Sequence, residues 1–170
     1  MLPNRIFRWI FYLIEFLVLF ILQTVPGIIP AIGGVQPLLL LSAALSVALF
    51  EGNVGGMTAG IAAGLLIDFG YGEILGVHAI FLAIFGFLLG SMTMELFRTN
   101  LLILMLAGLV VVPAVLTLQW LLFYVWQGYN GAGYVYYTHY IPEMFYTYLL
   151  LPLLYGLNRI IALRLSEAAS

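Results

Sequence analysis

The chain has 170 residues, 65% of them hydrophobic and only 7% charged, with a mean hydropathy of +1.17. A soluble domain with so little polar side chain could not cover its own surface, so the sequence is written for lipid as its solvent. A net charge of -2 without any basic tract argues against nucleic acid as a partner, and the absence of cysteine excludes disulfides, thiolate metal sites and a cysteine nucleophile.

The first element, "RIFRWIFYLIEFLVLFILQTV", has the basic start of a signal peptide. Its apolar run is longer than a typical h-region, it contains Glu15, and more spans follow, so it reads as an uncleaved first helix. A helix needs about 20 apolar residues to cross the hydrocarbon. On that measure, spans are predicted near 7–25, 36–51, 53–70, 76–96, 100–127 and 141–162, within one polytopic membrane domain over 1–170 and no soluble module. Pro26, Pro30 and Pro37, with three glycines, break the chain between the first two spans. Only "EGN" separates the second and third, which predicts a tight helical hairpin. Pro113 and Pro152 fall within the fifth and sixth spans, where they are expected to kink the helices. "QGYNGAGYVYYTHY" (127–140) reads as the longest polar connection, and its "YVYYTHY" as an aromatic belt or as a ligand or partner surface.

Six spans place all five arginines (Arg5, Arg8, Arg98, Arg159 and Arg164) on one side. The positive-inside rule then makes that side cytoplasmic, with both termini inside.

Gly52, Gly56, Gly60 and Gly64 recur every four residues and form a slanting groove along the third span. Such a groove lets another backbone approach closely in lipid. Two occupants are open: a neighbouring helix of this chain, or a transmembrane helix of another protein. Asp68 follows at the end of the same span, either as a solvated helix-end acid or as a partner or ligand contact. The macrodipole of its own helix gives it nothing, which favours a specific donor such as His78 or a backbone N–H at the start of the fourth span. Gly70, Gly72 and Gly76 make the turn between them.

Glu15 lies inside an apolar run, where an unpaired carboxylate costs several kcal/mol. It is either functional or paired with an arginine, and Arg159 is the expected partner. Glu95 and Arg98 read as an interfacial i, i+3 pair. His78 and His139 lack metal-ligand spacing, so no metal site is expected.

A proline-led apolar helix followed by "EGNVGGMTAGIAAGLLIDFGYGEILGVHAIFLAIFGFLLG" resembles the bacterial rod shape-determining protein MreD family. Members look like G-x3-G-x3-G-L-x2-D, a short glycine-containing turn, then "LG" and an apolar helix with further glycines. The matching positions here are Gly56, Gly60, Gly64, Leu65, Asp68, Leu75 and Gly76, with Gly86 and Gly90 following. The motif covers about residues 36–95, and Leu38 stands after Pro37 where members often carry an acid.

The resemblance implies a non-enzymatic inner-membrane scaffold of the rod complex, or elongasome, without a cofactor. Such a protein binds MreC and helps connect MreB filaments with the transpeptidase and glycosyltransferase that build lateral peptidoglycan. The family is also similar in fold to the substrate-binding S components of energy-coupling-factor vitamin transporters, compact six-helix bundles that supply the alternative function. An S component should have a polar pocket near its outer face and small residues in its first helix, whereas the first span here is bulky. A third reading, an enzyme acting on lipid, would need clustered acids or histidines at one depth, and Asp68, Glu73 and His78 come closest.

Overall fold

A computed structural model describes residues 2–71, 74–95 and 100–167, with side chains for 6–71, 74–93 and 100–164. Gly72, Glu73 and Arg98, and the side chains of Arg5 and Glu95, lie outside the described residues, and with them the expected pair of Glu95 and Arg98. The elements in order are α1 (Leu2–Thr24), α2 (Leu39–Tyr71), α3 (Val77–Glu95), α4 (Leu101–Trp120), α5 (Ala132–Val135) and α6 (Ile141–Glu167). A π-helical turn, Leu121–Val125, extends α4, and another, Tyr136–Tyr140, joins α5 to α6.

Among the described residues there is no strand, and four helical stretches are long and apolar enough to cross a membrane. These are Ile6–Thr24, Leu39–Tyr71, Leu101–Val125 and Ala132–Arg164, while Val77–Thr93 is apolar but shorter.

The 33 residues of α2 do not make one straight rod. Gly52 has φ 76° and ψ -166°, a region that side chains with a Cβ all but never enter, and it breaks the helix between Glu51 and Asn53. The break is sharp. A Cβ on Gly56 would lie 2.7 Å from the Cβ of Ala48, although eight residues of straight helix would hold them about 12 Å apart. The two halves of α2 therefore fold against each other at "EGN".

The first half sits at the centre. Every residue from Leu39 to Leu49 is buried, as expected of a helix that is apolar or small all round. Its amino end is closed by other helices, since backbone N–H groups in lipid must find acceptors inside the protein. The Leu38 N–H donates to Thr147 Oγ1 (3.0 Å) and the Leu40 N–H to Gln23 Oε1 (3.3 Å), while Ser42 Oγ–H reaches the Thr147 carbonyl (3.2 Å). Thus the preceding helix α1 and the distant helix α6 together satisfy the first turn of α2. The outward faces of α1, α4 and α6 remain apolar and exposed, with Leu13, Val110 and Leu149 as examples.

One expectation fails in the last third. The segment 127–140, read as a polar connection, is helical from Ala132 onward, so the loop shortens to a few residues. Packing of the aromatic residues explains the difference. Trp120 Nε1–H donates to the Ala132 carbonyl (2.8 Å), its ring lies 4.8 Å from that of Tyr136, and the Tyr136 hydroxyl meets Thr117 Oγ1 at 3.1 Å. Pro142 has no N–H to give the preceding turn, and there the ladder relaxes to the wider spacing, with Ile141 N–H donating to the Tyr136 carbonyl.

Candidate functional site

Asp68 and His78 are both wholly buried, and they meet across the turn between α2 and α3. Gly76, with φ +100°, lets the chain reverse so that the first amides of α3 point back at the end of α2. The Gly76 N–H donates to Asp68 Oδ2 (2.8 Å), the His78 N–H to Oδ1 (3.2 Å), and His78 Nδ1 lies 2.7 Å from Oδ1. A carboxylate only accepts, so Nδ1 is the donor in that contact. Asp68 stands at the carboxyl end of its own helix, where the dipole disfavours it, but at the amino end of α3, where it is favoured. It caps a helix to which it does not belong.

The glycine groove runs from this clasp toward the Gly52 break and is filled by α3. A Cβ on Gly64 would come 2.3 Å from Ala79 Cα, one on Gly60 2.2 Å from the Leu82 carbonyl oxygen, and one on Gly56 2.3 Å from that of Gly86. A Cβ on Gly90 would meet the Gly52 carbonyl at 2.3 Å. Backbone lies on backbone in an antiparallel register advancing about four residues at a time, with glycines facing glycines at the end near Gly52. The face that the sequence offered to a partner's helix is thus covered within the chain.

Glu15 has a different partner from the one expected. Its Oε1 accepts from Asn158 Nδ2 at 3.0 Å, and Asn158 Nδ2 also reaches the Leu154 carbonyl at 3.0 Å. Arg159, the expected partner, is exposed, because one residue along a helix turns the side chain by about 100°.

An ion pair missed from sequence joins α1 to the break in α2. Arg8 donates to Glu51 Oε2 at 2.8 Å and the Tyr12 hydroxyl to Oε1 at 3.0 Å, with the Trp9 ring packed edge-on against Tyr12. Glu51 and Asn158 could have been suspected from one signal, the rule that a polar side chain inside a span needs a named partner. That rule gives the need and not the identity.

At the opposite end of α1, Gln23 Nε2–H reaches the Tyr71 hydroxyl at 3.4 Å. Beyond Tyr71, Gln36, Gln119 and Glu143 border an open cavity of about 320 Å³ with polar and apolar walls. Among the described residues, no three histidine or acidic side chains come together as a metal site would require.

A family model described as rod shape-determining protein MreD matches residues 3–161. No curated protein and no solved structure matches the chain. The match takes in every helix of the bundle, from the Arg8–Glu51 pair to Asn158 on α6, and not only the glycine motif. The chain belongs to the family of the rod shape-determining protein MreD, multi-pass proteins of the bacterial inner membrane that determine cell shape.

Proposed function

We propose that this protein is a non-enzymatic scaffold of the rod complex, binding MreC and supporting lateral peptidoglycan synthesis together with MreB, a transpeptidase and a glycosyltransferase. The family match over residues 3–161 carries this reading. The disposition of the acids supports it. Asp68, Glu51 and Glu15 are each engaged by groups of the same chain at separate places, and do not converge on one reacting point. The vitamin-importer alternative draws nothing from the comparisons, and the bulky first helix argues against it.

The same proposal includes a single polytopic domain of six spans with both termini cytoplasmic, a compact bundle like that of the S components. The break at Gly52 supports counting the halves of α2 as two crossings. The cross-helix bonds support the same count. Arg8 on Glu51 ties the start of α1 to the Gly52 break, and Gln23 on Leu40 and Tyr71 ties its end to the two far ends of α2.

Capture of the tagged full-length protein from a rod-shaped bacterium tests the reading. MreC is expected among the co-purifying membrane proteins, and depletion should round the cells. A monodisperse, membrane-inserted protein that captures no MreC would overturn it.

A further inference from the structure

Glu15 and Asn158 tie α1 to α6 inside the apolar bundle, and their hydrogen bonds do not balance. Asn158 is wholly buried, and both hydrogens of its Nδ2 are committed, one to Glu15 Oε1 and one to the Leu154 carbonyl, each at 3.0 Å. The Leu154 bond also fixes the amide, because a flipped side chain would set Oδ1 against that carbonyl oxygen. Two oxygens are left over. Asn158 Oδ1 and Glu15 Oε2 are both buried, and neither meets a donor among the described residues.

Nor does a cation among the described residues answer the carboxyl. On α1, Arg8 is paired with Glu51 of α2, and the Tyr12 hydroxyl is given to the same acid. On α6, Arg159 and Arg164 are exposed, and Tyr155, stacked on Phe50 of α2, brings a phenol and no positive charge. Phe11, Ile14 and Val18, which flank Glu15 on its own helix, turn apolar side chains outward and offer no donor. A charge in such surroundings is costly, and a carboxyl escapes the cost by keeping its proton. A bridging water would meet both spare oxygens but leave the charge uncompensated. A proton on Oε2 removes the charge and supplies the missing donor at once.

We propose that Glu15 and Asn158 form a proton-binding site, in which Glu15 is a neutral carboxylic acid whose Oε2–H donates to Asn158 Oδ1. The acid and the amide then exchange two hydrogen bonds, Nδ2–H to Oε1 and Oε2–H to Oδ1, and no polar atom of either is left over. The join between the first helix and the last is strongest while this proton is bound, which makes it a proton-sensitive contact. The inference rests neither on the rod-complex reading nor on the number of spans.

Infrared spectra of the purified full-length protein at neutral pH, in a detergent without ester or acid groups, test it. The carbonyl band of a neutral carboxyl is expected in the wild type and missing in Glu15→Gln, whose amide reproduces both hydrogen bonds. Thermal unfolding gives a second reading. An unfolded glutamate is ionised above about pH 4.3, so the folded state binds one proton more and its stability falls as pH rises. The melting temperature of the wild type relative to Glu15→Gln should therefore drop between about pH 5 and about pH 9, while His78 and His139 titrate in both proteins alike. Spectra with no neutral-carboxyl difference between the two proteins, or a melting-temperature difference independent of pH, would each overturn the proposal. Should Glu15→Gln not fold, Glu15→Met takes its place in both measurements, having a similar length and nothing to ionise.

Discussion

A buried carboxylate in this bundle persists because donors meet it, and the two best-placed acids differ in how many they have. Asp68 accepts from two backbone amides and an imidazole, all in the turn that follows it. Asp68→Ala leaves those buried donors without an acceptor and should lower stability by about 2–3 kcal/mol, seen as a fall in melting temperature of the purified protein. Asp68→Asn keeps one oxygen and should fall between. A melting temperature unchanged in Asp68→Ala would remove the clasp from the list of structural bonds. Among the described residues, Glu15 accepts from Asn158 alone. Glu15→Gln should therefore fold in higher yield than Glu15→Lys, since a neutral amide can still accept from Asn158 whereas a lysine brings a charge into an apolar surrounding. Asn158→Leu alone should destabilise more than Asn158→Leu with Glu15→Leu, because an acid stranded in an apolar surrounding costs more than an apolar pair. Residues of this kind are legible in sequence as positions. Their partners are legible only when the loop is short, as from Asp68 to His78, and not when Arg159 and Asn158 compete across an unknown helix rotation.

Helix contacts in lipid are set by shape, and the crossing of α2 on α3 shows what shape the glycines confer. At Gly60 the nearest atoms are the backbone oxygen and carbon of Leu82, at 2.2 and 2.5 Å from where a Cβ would stand, and backbone cannot rotate aside. Even Gly60→Ala must push the helices apart, at about 2 kcal/mol or more. Gly156 on α6 has open space in the same position, so Gly156→Ala should be neutral or stabilising by up to about 1 kcal/mol through helix propensity. Thermal unfolding of the two purified variants separates them, and equal melting temperatures would contradict the crossing. The four-residue spacing of the glycines was legible as a demand for close approach. What fills the groove was open, although Gly86 and Gly90 in the next helix carry the matching spacing. The helical start at Ala132 was hidden because glycine and tyrosine are poor local helix signals, and only the packing of Tyr136 on Trp120 decides the matter.

Sidedness belongs to the whole molecule, and a single residue decides between two versions of it. As one straight crossing, α2 would be about 50 Å long, well beyond the roughly 30 Å of hydrocarbon. Such a five-span chain would carry Arg98, Arg159 and Arg164 to the face opposite Arg5 and Arg8, against the positive-inside rule. Two crossings that meet at Gly52 return all five arginines to one face. On that six-span proposal the first crossing is short, about 20 Å of helix over residues 39–51. It tolerates that because it is buried on all sides, and irregular backbone at its ends is shielded by protein rather than exposed to lipid. The chain has no native cysteine, so single-cysteine variants report cleanly. Ile32 is a better site than the adjacent Gly33, whose φ of +64° disfavours any side chain, and Asn130 is exposed in the last loop. With six spans, an impermeant maleimide added to intact cells should label both Ile32→Cys and Asn130→Cys. If α2 crosses once, Ile32→Cys is labelled and Asn130→Cys is protected. That outcome would place the Arg159 end of α6 outside and leave Gly52 a bend within one span rather than the tip of a hairpin.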